Sequence, residues 1–180
     1  MMDKVIIAGQ GGQGALRIGQ MLAYAAINEG KEATWLPSYG AEMRGGTANC
    51  GVTISDRCIA SPTIMKPDSC IVMNKPSLLK FEKWVVPAGS LFINASMVSE
   101  KASRGDIRIF YIPADAIAEE EGNPRGANMV MLGAYLAAVK SVLPASIFEI
   151  IDHSFTGDKA KYADANKRLV RRGMDFIERQ

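Results

Sequence analysis

The sequence predicts an α/β fold: a single Rossmann-like domain over residues 1–180, with a mixed, mostly parallel sheet and helices on both faces. Three observations carry this. A β-branched apolar run, Lys4 to Ala8, passes directly into Gly9-Gln10-Gly11-Gly12-Gln13-Gly14, a stretch of helical-period apolar residues follows, and short apolar runs recur among amphipathic segments further on. At 180 residues and 48% apolar composition the chain can bury one core and is short for two.

Lys4 to Ala8 suits a strand buried on both faces at the centre of a parallel sheet. Leu16, Ile18, Met21, Leu22, Ala25 and Ala26 then repeat at helical spacing, and Gly30 supplies a residue tolerant of the left-handed conformation at the helix stop. Glu32 to Leu36 reads as the second strand, after a crossover of the length of a right-handed β-α-β unit. Ser38 to Gly46 is polar and glycine-rich, holds no periodic apolar face, and reads as a loop. Thr47 to Ile54 and Arg57 to Ala60, parted by Ser55-Asp56, have the spacing of a hairpin and so of an antiparallel addition to the sheet. Ser69 to Asn74, Ser90 to Asn94 and Ile107 to Ile112 are further strands, with a helix from Pro76 to Trp84 between the first two. The last third is helical: Ala114 to Glu121, Ala127 to Leu143, Pro144 to Asp152 and Lys159 to Arg179.

Several function classes are disfavoured by composition. A net charge of +2 with 22% charged residues is neither the basic excess of a nucleic-acid binder nor the charge density of a disordered chain. Cys50, Cys58 and Cys70 form no C-x-x-C pair and have one histidine, His153, to help them, so no metal or iron–sulfur site is expected on this chain. The start, Met1-Met2-Asp3-Lys4, enters a short apolar run with no signal-peptide pattern, which implies a reduced, cytoplasmic setting. Ala127 to Leu143, the most apolar stretch, is broken by Asn128 and Lys140 and is too short to span a membrane.

The segment Gly9-Gln10-Gly11-Gly12-Gln13-Gly14 satisfies G-x-G-x-x-G where the mechanism requires it, after a buried strand and opening a helix. Glycines there let the backbone approach a phosphate, whose charge the free amides and the helix dipole stabilise. The same glycines also serve a tight turn and close helix–sheet packing, so a purely structural role stays open. A dinucleotide site would further need an acidic residue closing the second strand, where this chain has Leu36-Pro37-Ser38. Glu42 and Arg44, between Gly40 and Gly45-Gly46, are expected at the carboxyl edge of the sheet, where Arg44 could grip a phosphate or carboxylate and Glu42 orient it. The basic C-terminal helix, with Lys167, Arg168, Arg171 and Arg172 around Leu169, Val170, Phe176 and Ile177, reads as a solvated amphipathic face packed on a core.

The glycine turn together with Ser38-Tyr39-Gly40-Ala41-Glu42-Met43-Arg44-Gly45-Gly46 resembles the γ-subunit family of 2-oxoacid:ferredoxin oxidoreductases, over most of the chain. The resemblance implies a subunit of an enzyme that converts a 2-oxoacid and coenzyme A to acyl-CoA and carbon dioxide while reducing ferredoxin. It favours 2-oxoglutarate or a branched-chain 2-oxoacid over pyruvate. Thiamine diphosphate, magnesium and iron–sulfur clusters would sit on partner α, β and ferredoxin-like δ subunits. This chain would contribute coenzyme A binding, through Gly9, Gly11, Gly12, Gln13, Gly14, Ser38, Tyr39, Glu42 and Arg44, together with assembly contacts. It would have no catalytic residue of its own, and in isolation it would self-associate through the exposed subunit interface. Two alternatives stay open: a self-contained NAD(P)-dependent oxidoreductase, and a structural subunit with an empty glycine turn.

Overall fold

The computed structural model describes residues 1–39 and 47–179. Its strands are β1 (Met2–Gln10), β2 (Glu32–Tyr39), β3 (Thr47–Ser55), β4 (Ser69–Val72), β5 (Ser90–Asn94) and β6 (Arg108–Ile112). Its α-helices are α1 (Ala15–Asn28), α2 (Lys75–Phe81), α3 (Ala114–Glu120), α4 (Ala127–Val139), α5 (Pro144–Ser154) and α6 (Ala163–Glu178). The strands form one sheet in the order β2-β3-β1-β4-β5-β6. β1, β4, β5 and β6 pair in parallel, whereas β3 is antiparallel to both β1 and β2. β2 therefore runs the same way as β1 without touching it.

Alternation along the central strands sorts the core. Val5, Ile7, Ile71 and Phe92 face a large layer built by α1 and α3 to α6, while Ile6, Ala8, Cys70, Val72, Leu91 and Ile93 face a smaller one under α2. Helices on both faces of a mixed, mostly parallel sheet are thus present. The hairpin is not where spacing put it. Arg57 to Ala60 forms no strand, because β3 already has β1 on one edge and β2 on the other and leaves no ladder for a following segment. β3 instead fills the slot beside β1, so the crossover through α1 lands one position out.

Helix ends follow local chemistry in part. Gly30, at φ 75°, closes α1: its amide donates to Ile27 O (2.9 Å) and that of Lys31 to Ala26 O (3.0 Å), the two bonds of a Schellman stop. α4 ends earlier than its apolar run suggests, since Lys140 takes the left-handed conformation at φ 58° with no glycine to announce it. The segment expected as one helix from Lys159 opens as a 3-10 turn, Gly157–Tyr162, before α6. The basic face of α6 is solvated and paired: Arg172 meets Glu120 at 2.9 Å, Lys167 meets Asp152 at 2.6 Å, and Leu169 and Val170 are fully buried beneath.

One buried polar cluster ties the sheet to α4. Tyr135, fully buried on α4, donates to the Asp3 carboxylate, and its oxygen lies 2.9 Å from Ser141 Oγ. Burial, outweighing the hydrogen bond from Tyr135 and aided by the charge of Asp68, holds the Asp3 carboxyl above its ordinary value of 3.8. The folded chain therefore favours the neutral acid, and this group withdraws stability as pH rises from 3.8 through the raised value. Asp3→Asn keeps an acceptor for Tyr135 and removes the charge, so its melting temperature should exceed that of the wild type at pH 7 and converge with it in acid. A lower melting temperature for the variant at pH 7 would contradict this.

Candidate functional site

The carboxyl ends of β1, β4 and β5 carry the glycine turn, Met73-Asn74 and Asn94, and here the helices diverge, α1 to the large layer and α2 to the small one. Gln13 stitches the opening. Its Oε1 accepts from the Gln10 amide (2.7 Å) and from Asn74 Nδ2 (3.3 Å), and its Nε2 donates to Met73 O (3.3 Å). Asn74 in turn caps α2 by accepting from the Ser77 amide at 3.0 Å. Gln13, expected to bind ligand, thus already holds the turn against β4.

The glycines divide by what surrounds them. A Cβ on Gly9 would lie 2.9 Å from both Gln13 Oε1 and Met73 Cβ, and one on Gly14, at φ +76°, would lie 2.3 Å from Asn128 Nδ2. Close packing accounts for both. Gly12, at φ +98°, has nothing within 4 Å of such a Cβ, and Gly11 is exposed. At Gly12 the turn presents open backbone, with exposed Gly11 beside it.

Ser38 and Tyr39 do reach this edge. Through β3, Tyr39 registers with Ala48 and Ala48 with Gly9, so Tyr39 lies level with the turn, two strand spacings or about 9.6 Å across the sheet. Ser38, however, lines a separate cleft of about 200 Å³ on the α2 side with Asn49 and Lys80, so it does not share a wall with Gly12 and Gln13. Glu42 and Arg44 lie outside the described residues.

Gly12 and Gln13 line a cleft of about 270 Å³ with Met73, Pro124 and Ala127 and with four further polar residues, Asn94, Asp115, Arg125 and Asn128. Sequence reasoning assigned no ligand role to these four. Asn128 gave the one available signal, a polar residue opening an otherwise apolar helix, and it is 9% exposed. Asn94 Nδ2 donates to Asp115 Oδ2 at 2.7 Å. The cysteines do not converge: Cys50 and Cys70 are buried on opposite faces of the sheet, burial pushing the Cys50 thiol up to about 12 and raising Cys70 likewise, while Cys58 is exposed. Among the described residues, no group of three or more His, Cys, Asp or Glu could hold a metal, and no helix is long and apolar enough to cross a membrane.

A mixed, mostly parallel sheet with helices on both faces and a glycine turn at its carboxyl edge places the chain in the Rossmann-like α/β class. More specifically, the chain belongs to the pyruvate ferredoxin/flavodoxin oxidoreductase family, whose profile matches residues 4–176. It is 40% identical over 174 residues to ketoisovalerate oxidoreductase subunit VorA of Methanothermobacter thermautotrophicus, covering 96% of this chain and 36% of that one. The chain thus spans little more than a third of that relative. It is 36% identical over 137 residues to 2-oxoglutarate synthase subunit KorC of Methanocaldococcus jannaschii, covering 74% of this chain and 73% of that one. Its fold is shared with 2-oxoglutarate:ferredoxin oxidoreductase from Magnetococcus marinus, solved with 2-oxoglutarate, coenzyme A and succinyl-CoA bound, at a TM-score of 0.92 and 20% identity over 99% of this chain and 31% of that one.

Proposed function

We propose that the chain is the γ subunit of a 2-oxoacid:ferredoxin oxidoreductase, acting as one domain that binds coenzyme A and joins partner α, β and δ subunits. The enzyme would form acyl-CoA and carbon dioxide from a branched-chain 2-oxoacid or 2-oxoglutarate, with pyruvate less favoured. Thiamine diphosphate, magnesium and the clusters belong on the partners, in keeping with cysteines split between two faces of the sheet. The observation that carries the reading is the family match across residues 4–176. The open backbone at Gly11 and Gly12 supports a phosphate-bearing ligand at the turn. A self-contained NAD(P) enzyme is disfavoured by the lack of an acidic residue closing β2, which ends Leu36-Pro37-Ser38-Tyr39.

Arg44 is proposed to hold an anionic part of coenzyme A. In the reconstituted complex, Arg44→Ala should raise the apparent constant for coenzyme A by about 10-fold or more, as expected for a charge-assisted hydrogen bond worth ~1.5–3 kcal/mol. The constant for the 2-oxoacid should hardly move, since decarboxylation would take place on other subunits. Wild-type constants and turnover in a properly assembled complex would remove Arg44 from coenzyme A capture.

A further inference from the structure

At the opposite edge of the sheet from the glycine turn, the residues that lead into β4, β5 and β6 line an apolar groove of about 580 Å³. Trp84 and the buried Val85 contribute to it, as does Met65, which is 78% exposed. Trp84 also walls the smaller cleft of about 200 Å³ that reaches Lys80 and Leu36, the latter 43% exposed. Apolar surface left in water does nothing to hold this fold, and where polar groups rim it, it marks a docking surface. Here the rim carries charge of one sign. Lys66, Lys80 and Lys83 are exposed and join no ion pair among the described residues. No Asp or Glu among the described residues lines either cleft. Glu82 and Asp106, close by in the chain, are engaged internally: buried Glu82 accepts from the Arg104 amide (2.9 Å) and Ser103 Oγ (3.1 Å), and Asp106 accepts from Arg104 Nε (2.7 Å).

The segment Ile64-Met65-Lys66, leading into β4, leaves main-chain groups open beside the groove. Ile64 is buried against Gly51, while the amides of Met65 and Lys66 donate no hydrogen bond among the described residues. An extended chain laid alongside takes such amides while its side chains alternate between groove and solvent. A second copy of this chain is a poor occupant, because a two-fold interface sets a patch against itself and would oppose Lys66 and Lys83 with the same cations. We propose that the groove receives an acidic segment of a partner subunit, extended, with an apolar side chain packed on Trp84 and Val85 between carboxylates that meet Lys66 and Lys83. The proposal rests on the γ-subunit reading for the existence of that partner, and it concerns the edge of the sheet away from the coenzyme A assignment.

The test is hydrogen exchange of the full chain, alone and reconstituted with α and β subunits, together with the affinity of that assembly. With no bond inside the chain to protect them, the Met65 and Lys66 amides should exchange almost freely in isolation and about 10-fold or more slowly in the complex. Lys66→Glu combined with Lys83→Glu should weaken assembly by about 10-fold or more and reduce its salt dependence. Met65→Gln should weaken it by about 3- to 10-fold with the salt dependence intact. Lys159→Glu combined with Lys161→Glu, in the 3-10 turn before α6, makes the same charge change elsewhere and should leave assembly nearly unchanged. Thermal unfolding checks that each variant is folded. A complex in which Met65 and Lys66 exchange as fast as in the free chain overturns the docking and leaves the γ-subunit reading standing. So does assembly indifferent to charge reversal at Lys66 and Lys83, or weakened equally by reversal at Lys159 and Lys161. Protection already present in the isolated chain and lost on dilution also overturns it, by making a second copy the occupant. If no complex forms with α and β subunits, the γ-subunit reading fails and the proposed partner with it.

Discussion

Gly173→Ala is expected to destabilise the chain by ~2–4 kcal/mol, although alanine is the better helix former. α4 and α6 cross with their backbones in contact: a Cβ on Gly173 would lie 2.0 Å from Val130 O, and one on Gly133 would lie 2.0 Å from Val170 O. A carbonyl oxygen within a helix cannot rotate away as a side chain can. The helices must separate by more than an ångström, opening the packing of Val130, Met131, Leu169 and Val170, all fully buried. Overpacking of this kind costs ~1–3 kcal/mol and sometimes more, against a propensity gain of ~1 kcal/mol for leaving glycine. Because the obstruction is backbone, the overpacking cost lies above that range, at ~3–5 kcal/mol, which leaves a net loss of ~2–4 kcal/mol. At ~2–4 °C per kcal/mol for a chain of this size, the melting temperature should drop by roughly 4–16 °C. Gly105→Ala, with nothing within 4 Å of the added carbon, serves as the control and should leave it nearly unchanged. Equal melting temperatures for the two variants would mean that the helices do not cross at these glycines.

Those two glycines mark the boundary of what the sequence discloses about the fold. Features set by residues close in sequence were legible: the buried β1, the periodic α1, the Gly30 stop, and an α4 with almost no polar face. Features set by distant partners were not. Nothing in Thr47 to Ser55 says that it inserts between β1 and β2, since alternation looks the same on either side of a strand and only the competing ladders decide. Likewise Gly133 and Gly173 look like weak points in two helices until the helices are seen to need each other there.

The candidate site divides along the same line. Placement of the turn after a buried strand and before a helix was local and was read correctly. The uses of its residues depend on what folds against them: Gln13 is engaged by Asn74 and Met73, about sixty residues away. Asn128 reaches the turn from the start of α4, and in the sequence it reads only as a polar break in an apolar run, with nothing to place it there.

Gly14 and Gly12 offer the sharpest separation of a structural turn from a ligand-binding one, because substitution should harm each for a different reason. Gly14→Ala forces a left-handed φ of 76° on a residue with a Cβ, at ~1–2 kcal/mol, and drives that carbon to 2.3 Å from Asn128 Nδ2 and 2.8 Å from its Cγ. Asn128 must shift from its packed position against the turn, so overpacking adds ~1–3 kcal/mol. The sum of ~2–5 kcal/mol should appear as a large loss of melting temperature and, through Asn128, a disturbed start of α4. Gly12→Ala meets only the backbone penalty, having nothing within 4 Å, and should leave a folded chain ~1–2 kcal/mol less stable. If a phosphate-bearing ligand approaches the open face of the turn, the methyl at position 12 intrudes on it, and the coenzyme A constant of the assembled enzyme should rise several-fold while the 2-oxoacid constant holds. An unaltered coenzyme A constant with folded Gly12→Ala would return the turn to a structural role, with Gly9 and Gly14 serving close packing and Gly12 its positive-φ backbone.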